Sequence, residues 1–165
     1  MKTINNTTFF YKGELSQWYG GFKNQNSSFY YDEKKFNCAE QWMMAQKARL
    51  FGDLESYNFI LAIDNPREHQ RIGRQIFDYK QSTWDNHKEK IVFYGNLLKF
   101  TQNPHLRKIL INSGDEFVEA SPIDKIWGIG IGLDYISEIH CDSKNWDGQN
   151  LLGKALTKVK KSIAY

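Results

Sequence analysis

The sequence predicts an α+β fold: one mainly helical domain with a few short β-strands. Three observations predict it. Helix-start signals recur, with an Asn followed by an acid three residues on or by a proline at the first helical position, at Asn37, Asn65 and Asn103. Ile91, Tyr94, Leu97, Leu98 and Thr101 repeat at helical spacing through the longest candidate helix. Short runs rich in Thr and aromatics stand apart from these, at Thr7–Tyr11 and Phe29–Tyr31. The helical excess argues against a parallel-sheet nucleotide fold.

The elements follow in order. Thr7–Tyr11 reads as a strand, Gly20-Gly21 as a turn, and Phe29–Tyr31 as the start of a second strand. Asn37-Cys38-Ala39-Glu40 resembles a capping box with Asn37 as the cap, and its helix runs to Phe51 and stops at Gly52. Asp53 caps a short helix through Ala62. Asn65-Pro66-Arg67-Glu68 opens a helix ending near Phe77. Ser82-Thr83-Trp84-Asp85 opens the longest, to about Thr101. Asn103-Pro104 starts another, closed by Gly114. Glu116–Ala120 reads as a strand, and Ile126–Leu133 as strand or loop. The last helix covers Gly148–Ser162, with Lys158, Lys160 and Lys161 as a solvated basic end that suits the helix dipole.

At 165 residues the chain suits a single domain over 1–165, its core spanning about 10–160. No run approaches the ~18 apolar residues of a membrane span, and Met1–Asn6 carries no secretory signal. Two distant cysteines, Cys38 and Cys141, form no disulfide framework and fit a reducing, cytoplasmic setting. With 22 basic and 19 acidic residues the net charge is +3, which excludes a strongly basic nucleic-acid coat but not a local patch. The four His and two Cys show no metal-ligand spacing, so no metal and no cofactor is expected. Aromatics are abundant, with 5 Trp, 9 Tyr and 11 Phe, and such rings either fill a core or stack on flat ligands.

Three segments can carry chemistry. In the first, Glu40, Met44 and Lys47 share one helix face at i, i+4 and i+7. A lysine held against apolar surface loses charge stabilisation and becomes a competent amine nucleophile toward a sugar aldehyde. A neighbouring glutamate shuttles protons. The same spacing also serves two good helix formers bordering a buried stripe. In the second, Glu119–Gly130, Trp127 precedes Gly128 and Gly130, which suits either ring stacking beside a close backbone or a turn with a core Trp. In the third, Asn145–Gly153, Asn150 stands at a helix start, where amides favour anions or a cap simply closes the helix.

Together these segments resemble the NADAR, or YbiA-like, family from about Phe10 to Val159. The carriers are Leu15-Ser16-Gln17-Trp18-Tyr19, Phe36 through Asp53, Gly73-Arg74, Trp84, Gly95 through Asn103, Glu119 through Gly130, and Trp146 through Gly153. Each block is modest alone; all of them in order are specific. Many members read Ser-Asn-Phe at Ser16-Gln17-Trp18; Gln still donates and accepts as Asn does, so the change points to substrate preference.

The resemblance implies the YbiA-like fold and metal-independent N-glycosidic chemistry. Two substrate classes come with it: ADP-ribose on guanine, including guanine in DNA modified by a toxin, and phosphorylated riboflavin-pathway intermediates. A non-catalytic reader of ADP-ribose or NAD-derived ligands is the competing class. The resemblance makes Glu40 the acid, Lys47 the reactive lysine and Asp124 a second proton carrier. It places Ser16, Gln17, Trp18, Trp84, Trp127, Gly128 and Asn150 in the substrate pocket. Arg49 and Arg74 are candidate phosphate clamps, equally well read as exposed ion-pairing residues. All five Trp (Trp18, Trp42, Trp84, Trp127 and Trp146) lie in the matching segments, which suggests a ring-stacking pocket. An ADP-ribosyltransferase toxin is the implied functional partner, and no membrane is involved.

Overall fold

The structure is a computed structural model describing residues 1–23 and 25–164. Its elements fall into two compact units, one built from Met1–Ser16 and the chain from His105 onward, the other from Gln17–Pro104.

In the first unit, β1 (Lys2–Ile4) and β2 (Thr7–Phe10) form an antiparallel hairpin. Its turn residues Asn5 and Asn6 have φ of 46° and 64°, the left-handed pair that a two-residue hairpin loop requires and Asn tolerates. α5 (Pro104–Asn112) leads to β5 (Glu116–Glu119), which pairs with β2 in parallel, Thr7 opposite Glu116 and Phe10 opposite Glu119. The sheet order is β1-β2-β5. All four residues of β2 are buried. Phe9 joins Val118, Ala120, Ile129 and Ile136 in one apolar cluster. The stretch from Ile126 to Gly132 is loop, with a 3-10 turn over Leu133–Tyr135. α6 (Leu151–Ile163) packs on β5, its Thr157 hydroxyl accepting the Phe117 amide at 3.1 Å, and it buries Leu152, Leu156, Val159 and Ile163. Its start at Leu151 is later than the Gly148 expected from sequence. Lys160 is not a solvated end: it donates to the Ser113 and Gly114 carbonyls at 2.8 and 3.3 Å and to Asp115 at 3.1 Å. Its long stem lets the ammonium reach carbonyls that the end of α5 leaves without helical partners.

In the second unit, β3 (Phe29–Tyr31) and β4 (Lys34–Phe36) form a hairpin across Asp32 and Glu33, with φ of 50° and 61°. α1 spans Ala39–Leu50. Its cap is Cys38, one residue after the Asn37 expected, and the Cys38 sulfur accepts the Gln41 amide. Asn37 is drawn off instead, donating to the Asp64 carbonyl at 2.7 Å, and its own amide is taken by Gln41 Oε1 at 2.7 Å. α2 (Leu54–Ala62) and α3 (Pro66–Gly73) start at the expected caps, Asp53 and Asn65. α3 ends at Gly73 rather than near Phe77, whose amide is bound by Asp53 Oδ2 at 3.0 Å.

α4 (Gln81–Gln102) buries a face the periodicity did not single out. Tyr94 and Thr101 of the expected stripe are exposed. Besides Trp84 in its first turn, the buried residues are Val92, Gly95, Asn96, Lys99 and Phe100, at i, i+3, i+4, i+7 and i+8. α4 packs on α1. There Trp42 donates its indole N–H to the Ile91 carbonyl at 2.8 Å and meets Phe36 edge-on, ring centroids 5.1 Å apart.

Candidate active site

The site is built on the face of α1 that carries Glu40, Met44 and Lys47. Glu40 and Met44 are buried. The Glu40 amide donates to the Gln17 carbonyl at 2.9 Å. The Gln17 side chain is buried as well, its Oε1 accepting from Asn96 of α4 at 2.9 Å. The structure thus brings Gln17 to the start of α1, where its amide takes part in a buried polar cluster.

Two turns further along, Lys47 is half-buried. Its Nζ donates to the Gly73 carbonyl at 2.7 Å. It also lies 4.4 Å from the Tyr79 ring centroid and 5.3 Å from that of Trp84. A Cβ on Gly73 would sit 2.0 Å from Met44 Sδ, so α3 reaches this face only because the residue is glycine. Burial pushes the Lys47 amine below the ordinary lysine range, the Glu40 charge pulls it back upward, and the Arg74 charge lowers it further. A lysine so placed holds more of its population as free amine, the form that attacks carbon. Trp84, itself buried, joins Lys47 as the sequence reading expects. Tyr79, which that reading did not name, completes the aromatic wall.

The other candidates of this unit stand apart in role. Arg74 is exposed at the end of α3 and adds its charge beside Lys47. Arg49 is exposed too, but its guanidinium lies 5.9 Å from the Tyr57 ring of α2. Trp18 is half-buried and tilted on Phe22, centroids 6.3 Å apart. Trp42 is spent on the α1–α4 core. The second residue the sequence reading missed is Lys99, fully buried on α4 with its Nζ 5.1 Å from the Phe100 ring and 5.7 Å from the Tyr19 ring.

Ser16, Asp124, Trp127, Gly128 and Asn150 belong to the other unit. Ser16 donates its amide to the Gly13 carbonyl at 2.9 Å. Asp124 Oδ1 accepts the amides of Ile126 and Trp127, both at 2.8 Å, and so staples the turn. Trp127 is half-buried beside Gly128, where a Cβ would lie 2.8 Å from the Glu119 carbonyl oxygen. Asn150 is left-handed, with φ of 54°. Its Oδ1 accepts the Glu119 amide and its Nδ2 donates to the Phe117 carbonyl, both at 3.0 Å. Those bonds tie the start of α6 to β5. Trp146 uses its indole N–H on the His140 carbonyl at 2.7 Å. Among the described residues no group of three or more His, Cys, Asp or Glu is placed to hold a metal ion, and no helix is long and apolar enough to cross a membrane.

The helix face of α1 thus sets a partly desolvated amine and a buried carboxylate, with the Tyr79 and Trp84 rings beside the amine. The chain belongs to the NADAR domain family, whose model matches residues 7–164. It is 40% identical to the N-glycosidase R617 of Acanthamoeba polyphaga mimivirus, over 88% of this chain and 85% of that protein. It is 31% identical to the N-glycosidase Npun_R5314 of Nostoc punctiforme, over 95% and 92% of the two chains. The fold matches the NMR structure of the E. coli protein YbiA with a TM-score of 0.73 at 22% identity, covering 99% of this chain and 88% of that one.

Proposed function

We propose that this protein is an N-glycosidase in which Lys47 is the nucleophile and Glu40 the proton carrier. The observation that carries the reading is the Lys47 amine, held by the Gly73 carbonyl between Tyr79 and Trp84 on the helix face of buried Glu40. The names of the two N-glycosidase relatives support it.

In this mechanism the neutral Lys47 amine attacks the ribose C1′. The C1′–N bond breaks and its electron pair leaves with the base nitrogen. Glu40 takes one proton from the new ammonium and delivers it to that nitrogen. The second N–H proton moves to the ring oxygen as the C1′–O bond opens, leaving a lysine imine at C1′. Water then adds, the amine departs, and the sugar aldehyde closes again to ribose. The Trp84 ring offers a face for the departing base or for adenine.

The substrate proposed is ADP-ribose on guanine, in DNA or a nucleotide. A net charge of +3 suits recognition of one modified nucleotide better than a grip on a long phosphate backbone. An ADP-ribosyltransferase toxin in a cytoplasmic setting would supply that modification. One observation favours the second substrate class, a phosphorylated riboflavin-pathway intermediate: Arg74 alone of the two candidate clamps adds its charge to Lys47, as a single phosphate would need.

Borohydride trapping with each substrate, read by intact mass and peptide mapping, tests the chemistry and the choice together. An adduct on Lys47 is expected, lost in Lys47→Ala together with hydrolysis. Full hydrolysis by Lys47→Ala refutes the imine route.

A further inference from the structure

We propose that Lys99 is the buried counter-ion of Glu40 and the positioning residue of the α1 site. This rests on the reading of Glu40 as proton carrier and deepens it.

Lys99 has no solvent exposure, and Glu40 is 2% exposed. A buried ammonium or carboxylate is stable only when paired. Among the described residues Glu40 is the one buried carboxylate, and Lys99 the one buried lysine or arginine. The topology brings them together. Asn96 lies one turn from Lys99 on the buried face of α4. It donates to the side-chain Oε1 of Gln17, and the backbone carbonyl of Gln17 receives the Glu40 amide. The buried face of α4 therefore meets the first turn of α1. The Cys38 thiol, at the cap of that turn, responds to both charges. Burial chiefly pushes it up to about 12; against that the Gln41 amide lowers it, while Glu40 raises it and Lys99 lowers it. Among the described titratable groups, the Tyr19 ring lies 5.7 Å from Lys99 Nζ, and Lys47, with the Arg74 charge acting on it, stands on the Glu40 side.

The pairing has a chemical consequence. Glu40 acts on both lysines, and a carboxylate paired with Lys99 pulls less strongly on Lys47. Lys47 then keeps the lowered proton affinity that makes its amine available. Lys99 touches no reacting atom in this scheme; it sets how strongly Glu40 holds the nucleophile in its charged form.

The test is a double-mutant cycle with Glu40→Gln and Lys99→Met, and Lys99→Arg as the charge-conserving variant. Thermal melting and the pH dependence of kcat/KM are measured on each. Both single variants should melt lower, and the double variant should lose less than the sum of the two. In Lys99→Met the acidic limb of the pH profile, where Lys47 loses its proton, should move up by roughly one unit, while Lys99→Arg leaves it in place. If Lys99→Met does not fold, Lys99→Gln takes its place in the cycle. Additive melting losses, or a limb unmoved in the Met or Gln variant, overturn the pairing. Full activity in Glu40→Gln with non-additive melting would instead overturn the proton-carrier reading and leave the pair standing.

Discussion

Gly73→Ala tests the geometry of the site most directly, because one added methyl touches both halves of it. The new Cβ would lie 2.0 Å from Met44 Sδ and 2.9 Å from Met44 Cγ. Carbon and sulfur need nearly twice the shorter distance, so something must move by more than 1 Å. Met44 is only 6% exposed and has little room to rotate away. Part of the relief therefore comes from the end of α3, and the Gly73 carbonyl that holds Lys47 Nζ moves with it. Overpacking of this kind costs about 1–3 kcal/mol. In a chain of this size that is a fall in Tm of roughly 2–12 °C. A displacement near 1 Å at a reacting group costs about a hundredfold in rate. The expected outcome is a modest loss of stability with a much larger loss of kcat and of borohydride-trapped adduct, KM changing little. Adding Met44→Ala should restore kcat by clearing the contact, whatever it does to Tm. A Gly73→Ala protein with lowered Tm and unchanged kcat would refute the claim that this carbonyl positions Lys47.

Two further outcomes follow from groups away from Lys47. Asn150→Ala removes both bonds to β5 and leaves a left-handed backbone without Asn, so urea unfolding should show a loss of about 2–4 kcal/mol; a KM that rises while stability holds would make Asn150 a substrate contact instead. His69 is fully buried, its Nε2 2.7 Å from the Ile63 carbonyl oxygen, and burial lowers its proton affinity, against that bond and the Asp64 charge, which raise it. Protonation therefore favours the unfolded chain: the contribution is complete above the unfolded value near 6.5 and declines as pH falls below it. Tm should drop as the pH falls below about 6.5, and a His69→Gln variant with the same acid slope would show that another group is responsible.

Much of the helical layout is legible in sequence because its start signals are chemical. Asp53 and Asn65 accept the amides their positions require, and Pro66 needs no amide partner. The start of α1 is displaced by one residue because a thiol serves as cap, a weak acceptor that the residue pattern does not favour over Asn. β1 and β4 escape notice as three-residue strands that are mostly exposed, with no apolar alternation to read. The face of α4 is misread for a different reason. Its buried side carries Asn96 and Lys99, polar residues that ordinarily mark the wet side of a helix, and its half-exposed side carries the leucines. The sequence signal was present all the same: Gly95, Asn96, Lys99 and Phe100 repeat with the period of a buried stripe. In the site itself, the common face of Glu40, Met44 and Lys47 follows from spacing alone. The Gly73 carbonyl and the Tyr79 ring come from other segments, and no local pattern announces that α3 will lie against α1.

The parallel pairing of β2 with β5 also has a history during synthesis. Thr7 leaves the ribosome more than a hundred residues before its partner Glu116. At ordinary elongation rates that is roughly 5–20 s. For that interval Thr7-Thr8-Phe9-Phe10 has only the β1 hairpin on one side and an open edge on the other. Residues 17–104, by contrast, form a continuous stretch that can close on itself as it emerges. The surroundings of Lys47 are thus assembled by contacts local to one stretch of chain, while the N-terminal strands wait for the last third to arrive. Truncated or slowly translated chains would therefore expose the Phe9-Phe10 edge to other nascent chains before any defect reached the helices that carry Lys47.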